Sequence, residues 1–175
     1  MLRIAKKILI VPALIILSSC NYTPQVNGEL RSDGFMQYFF KGKKVIYLDS
    51  TTVSDPSINL LSGSYSKRDS VLTLQARSWP NPYTDALLLH INHCFDTGFY
   101  LLASTDNSYA EVTENGVWST DLSHTGEVHL IALDTIRNIV QGTFRFSGKS
   151  INSSNVDSVV IDSGKIFNFP ITIAR

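Results

Sequence analysis

The chain has 175 residues, 15 basic and 15 acidic, with four histidines and two cysteines. That length fits one domain of ordinary size, and the even charge balance gives no basic surface for nucleic acid or anionic lipid. Two cysteines are too few for a disulfide framework.

The first twenty residues read as an address. Arg3, Lys6 and Lys7 make a basic start, Ile8 to Leu17 is an almost purely apolar run, and Leu17-Ser18-Ser19-Cys20 follows. This is the layout of a secretory signal peptide, too short for a spanning helix. The Leu-Ser-Ser-Cys ending resembles the lipobox of bacterial lipoproteins. The resemblance implies that residues 1–19 are removed and that Cys20 becomes an acylated first residue, tied to a membrane by its acyl chains. Loss of three cations with the signal leaves 12 basic against 15 acidic residues, a net charge of −3. Acidic residues just after the cysteine mark surface export in some proteins of this type, and Asn21-Tyr22-Thr23-Pro24 has none. The expectation is therefore an outer-membrane lipoprotein facing the periplasm. Acylation would consume Cys20, so Cys94 has no disulfide partner and reads as a small buried hydrophobe.

Residues 20–34 are polar and weakly patterned, a flexible tether. From Phe35 to residue 175 the dominant period is two, the mark of half-buried strands. Leu87, Leu89 and Ile91 share a face, as do Val128, Leu130 and Ala132, then Val140, Phe144 and Phe146, then Phe167, Phe169, Ile171 and Ile173. Strands are predicted at 35–40, 44–49, 58–66, 70–77, 86–93, 98–103, 109–113, 117–121, 126–133, 139–148, 156–162 and 166–173. Lys41-Gly42-Lys43 and Asn115-Gly116 read as hairpin turns, and Ser163-Gly164 as the break between the last two strands. Between Leu133 and Ile139 a turn built on Asp134 and Asn138 is preferred to a helix. The fold class is all-β, an antiparallel sandwich or a barrel-like sandwich, as one domain spanning 35–175.

The pair Gly126-Glu127-Val128-His129-Leu130 through Leu133-Asp134 and Ile139-Val140-Gln141-Gly142-Thr143-Phe144-Arg145-Phe146 resembles the C-terminal core of a Bacteroidetes-type lipoprotein family of unknown function. In that pattern a G-x-V-x-L strand ends in L-D and the next reads I-x-G-T-F-x-F. Ser163-Gly164-Lys165-Ile166-Phe167 loosely matches the family's last strand. The resemblance implies an all-β envelope lipoprotein and transfers no catalytic residue. Its motifs are packing motifs: Thr-Phe-x-Phe fills a core and Gly142 permits a bulge or close approach.

The chemistry in the sequence is sparse. His90 and His93, three apart on a strand, point to opposite faces and do not share a metal ion. His124 and His129 read as surface or hydrogen-bonded histidines. The carboxylates are scattered without a calcium-loop run, and no nucleophile elbow, phosphate loop, zinc-protease helix or dinucleotide fingerprint occurs. No metal or cofactor is implied. The loop holding Trp79, Asn81, Tyr83 and Asp85, stiffened by Pro80 and Pro82, is the candidate binding surface for a glycan or an envelope protein. Capping of the sheet core by its two rings is the preferred account of the same residues. The resulting expectation is a non-enzymatic, lipid-anchored binding or structural module. The alternatives are a calycin-like carrier of a small apolar ligand, set apart by an interior cavity, and a hydrolase whose carboxylates converge only in the fold.

Overall fold

Side chains that alternate apolar and polar give a strand one dry and one wet face, and the sheet forms by bringing the dry faces together. The computed structural model describes residues 34–48, 61–77, 85–114, 116–151 and 158–174, and the backbone at 25–26 and 29–30. The chain forms two compact units, Met1–Arg31 and Ser32–Arg175. In the first, β1 (Gln25–Val26) and β2 (Glu29–Leu30) pair antiparallel, inside the segment expected to be a plain tether.

The second unit contains β3 (Phe35–Phe40), β4 (Lys43–Leu48), β5 (Leu61–Ser66), β6 (Val71–Arg77), β7 (Asp85–Ile91) and β8 (Gly98–Leu102). There follow β9 (Tyr109–Glu114), β10 (Val117–Ser119), β11 (Gly126–Asp134), β12 (Ile139–Ser150), β13 (Ser158–Pro170) and β14 (Thr172–Ala174). All belong to one mixed sheet, ordered β14-β5-β6-β7-β9-β10-β12-β13-β3-β4, with β11 on the first half of β12 and β8 on β11. The sheet curls as a half-barrel around one core, the barrel-like member of the expected class. Every pairing is antiparallel except β14 with β5.

That exception has a local cause. The chain leaves β13 at Pro170, turns through the buried Ile171, and continues as β14 beside β5. The crossing needs a glycine: a Cβ on Gly63 would lie 2.7 Å from Ile171 Cγ2 and 2.8 Å from the Pro170 carbonyl oxygen. β5 therefore presents Leu61 and Tyr65 to the core with a gap between them that Ile171 fills.

The turns obey their residue chemistry. Lys41 and Gly42 both take positive φ, 47° and 77°, as a two-residue hairpin requires. Asp134 Oδ1 accepts the amides of Ile136 and Arg137, and Asn138 closes the β11–β12 turn at φ 59°. At the β9–β10 hairpin β9 ends at Glu114 and β10 begins at Val117, with Thr113 paired to Val117 and the Glu114 amide donating to the Gly116 carbonyl at 3.0 Å.

Three bulges correct the period-two reading. In β11 the register shifts between Leu130 and Ala132, so Ile131 is extra and Leu133, not Ala132, returns to the core. In β13, Asn168 at φ 43° inserts a residue opposite Gln141, so the buried side chains are Ile166 and Phe169 while Phe167 stacks on Phe35. Ser163-Gly164 does not separate two strands. Ser163, at φ 51°, is a bulge inside one continuous β13. Phe144 and Phe146 do face inward and Arg145 outward, the latter 71% exposed. Gly142 permits a close approach, since a Cβ there would sit 2.4 Å from the His129 carbonyl oxygen.

Candidate functional site

The outer face of the β8–β11–β12–β13 sheet departs from the polar surface that an alternating strand leaves to solvent. β8 reads Gly-Phe-Tyr-Leu-Leu, apolar on both faces, so burying Leu102 leaves Phe99 and Leu101 outside. Phe99 is 71% exposed. Its partner across the ladder is His129, and their rings stack in parallel at 4.0 Å and 6°. The row continues across β12 and β13 as Thr143 and Lys165.

A second row runs beside it. Leu101 pairs with Glu127, and Glu127 with Arg145, whose guanidinium Nε donates to Glu127 Oε1 at 2.9 Å. On β13 the row ends in the Asp162–Ser163 bulge: Phe144 pairs with Gly164 and Phe146 with Ile161, leaving two residues opposite Arg145. The bulge breaks the regular spacing of side chains, and two grooves open around the ion pair. One, of about 450 Å³, is lined by Phe99, His129, Thr143, Ser163 and Lys165. The other, of about 410 Å³, is lined by Leu101, Phe146, Val160 and Asp162. Glu127 and Arg145 line both and form the ridge between them. Both volumes lie in the range of small-molecule sites.

No family model, curated protein or solved structure matches the chain. The case for a site therefore rests on the geometry.

Of the residues singled out in the sequence, Cys20, Trp79, Asn81 and Tyr83 lie outside the described residues. Asp85 is described: it opens β7, half-buried, and pairs with Glu114 on β9. Above this carboxyl pair lie two buried phenols. Tyr38 donates to Glu114 Oε1 at 3.2 Å, and its oxygen is 3.1 Å from that of Tyr47. Burial first, and the facing Asp85 second, raise the Glu114 carboxyl above its ordinary range. Burial, then Tyr47, push the Tyr38 phenol far up, and Tyr47 rises for the same first reason. Two phenols that stay protonated and one carboxyl form a hydrogen-bond chain, buried at the phenols and half-buried at Glu114, that ties β3, β4 and β9 together.

The remaining candidates have structural roles. His90 Nδ1 meets Thr73 Oγ1 at 3.0 Å and its ring stacks on Tyr109, whereas His93 lies beyond the end of β7 at φ 53°. His124 Nδ1 is 2.9 Å from Asp121 Oδ1, an oxygen that also accepts the amides of Ser123 and His124, so the pair locks a turn. The His124 ring, followed by these amides, holds the Asp121 carboxyl below its usual range. Cys94 is fully buried, as expected, and burial pushes its thiol up to about 11.

The outer-face site was missed in the sequence for a definable reason. His129 falls correctly on a polar face, but its pairing with Phe99, thirty residues earlier, is a tertiary fact. The available signal was the Phe-Tyr-Leu-Leu run itself, which has no polar face to give to water.

Proposed function

We propose that the chain is a lipoprotein of the cell envelope, anchored through an acylated Cys20, which works as a non-catalytic binding module. Its contact surface is the outer face around the Glu127–Arg145 pair. The observation that carries this reading is Phe99, stacked on His129 and still largely in water, beside grooves with both hydrogen-bond donors and acceptors. Exposed aromatics next to a polar rim are the usual makings of a recognition patch. The basic start, apolar run and Leu-Ser-Ser-Cys ending support the anchor and an outer-membrane, periplasm-facing position. The resemblance of the β11–β12 sequence to envelope lipoproteins of unknown function points the same way. The interior is occupied by packed side chains from Tyr38 to Phe169, which favours a surface ligand over an apolar one carried inside.

The test is in-cell photocrosslinking from position 99 of the full-length protein, repeated with Arg145→Glu. Crosslinks to a discrete envelope component that disappear with Arg145→Glu, at unchanged melting temperature, are the expected result. Crosslinks that are absent, or indifferent to Arg145→Glu, sink the surface reading.

A further inference from the structure

The groove beside His129 is also lined by Phe99, Thr143 and Lys165. Neighbouring strands of a sheet lie about 4.8 Å apart, and Phe99 and His129 stack along that cross-strand direction with centroids 4.0 Å apart and nearly parallel planes. Rings stacked along the row stand upright on the sheet. His129 thus turns its second face away from Phe99, toward the next position of the row. That position holds Thr143, exposed and short, and the one after it holds Lys165. The space above Thr143 is one strand spacing from each neighbour, where a third ring would continue the stack.

The chemistry around this slot narrows the occupant. Arg145 and Glu127 meet at 2.9 Å and offset each other's charge, and Lys165 has an interaction of its own within the fold. What remains is a flat imidazole face, the hydroxyls of Thr143 and Ser163, and the spare acceptor and donor capacity of Glu127 and Arg145. A carboxylate or phosphate would ask for an unpaired cation. A hydroxyl-bearing ring asks for an apolar face together with mixed donors and acceptors.

We infer that the slot over Thr143, between His129 and Lys165, binds a neutral sugar ring of an oligosaccharide. The C–H face of the ring packs on His129, which Phe99 holds upright, and the hydroxyls exchange hydrogen bonds with Thr143, Ser163 and the Glu127–Arg145 ridge. This assignment rests on the outer face being the binding surface.

The experiment uses the full-length protein in detergent micelles on an array of neutral, uronic-acid and sulfated oligosaccharides. Neutral oligosaccharides should be retained. His129→Ala should weaken retention roughly three- to tenfold, the worth of one aromatic stacking contact. Thr143→Trp, which fills the slot, should abolish it at unchanged melting temperature. Retention of acidic glycans alone or indifference to Thr143→Trp overturns the neutral-sugar assignment, as does retention of no glycan. Crosslinking from position 99 then separates the failures: crosslinks that persist leave the surface reading standing, and their loss removes both.

Discussion

Asp85 and Glu114 are direct partners across β7 and β9, which sets two carboxyl groups on one face of the sheet beneath the Tyr38 hydroxyl. Burial, and after it Asp85, raise the Glu114 carboxyl against the opposing Tyr38 hydrogen bond and Lys43, so it holds its proton more tightly in the folded state than in the unfolded chain. Between the ordinary value of 4.5 and the raised one, the folded state binds more protons. Stability contributed by this group is therefore present at low pH and lost as pH rises through that window. Glu114→Gln keeps an acceptor for Tyr38 without the charge. It should raise the melting temperature at pH 7, and the gain should vanish below the ordinary carboxylate range. Parallel thermal melts of both proteins across pH check this; a gain independent of pH contradicts it.

Phe144 packs between Tyr38 and Phe146, with ring centroids 6.4 and 6.5 Å away. Phe144→Ala should cost about 3–5 kcal/mol, the usual range for a buried aromatic truncated to alanine. Denaturant melts of the full-length protein measure it. A cost below about 1 kcal/mol would remove this ring from the centre of the core.

Gly63 should not tolerate even a methyl group. A Cβ there meets the Pro170 carbonyl oxygen at 2.8 Å, and a backbone atom does not swing aside as a side chain can. Gly63→Ala should destabilise by about 1–3 kcal/mol, as overpacking does. The same substitution at Gly42, whose Cβ position is open, should act only through its φ of 77°. A Gly63→Ala melt indistinguishable from the parent would mean that β14 is not held against β5.

Thiol counting tests the anchor. Cys94 is buried, with its thiol pushed up to about 11, so it should react with a thiol reagent only after unfolding. If Cys20 is acylated, protein extracted from membranes should present one thiol in denaturant and almost none before it. Cys20→Ala should abolish lipid labelling and release the protein from membranes, since stable attachment takes more than one acyl chain. Two reactive thiols in denaturant would argue against the lipid anchor.

The strands were legible in the sequence because each has one dry face. β6 and β7, with buried Leu72, Leu74, Ala76 and Leu87, Leu89, Ile91, follow the alternation without interruption. The bulges were not legible. Ile131, Ser163 and Asn168 change which side chains face the core, and each is set by the register with a partner strand, which alternation within one strand does not reveal. The Phe99–His129 stack and the Asp85–Glu114 pair are of the same kind, since strand order decides which scattered aromatics and carboxylates become neighbours. Asp85 reads in the sequence as part of a loop, and it lies on the sheet instead.

If the chain is exported as proposed, the path of β13 and β14 bears on how it crosses. β13 completes its ladder against β3, at the opposite end of the domain sequence, and β14 clamps β5 through Gly63. Neither contact can form while only the earlier part of the polypeptide has been made or threaded through a channel. Contacts this distant in sequence make folding slow. A translocation machine that accepts only loose chains would thus find this one unclosed until its last strands arrive, and the domain would set on the far side of the membrane.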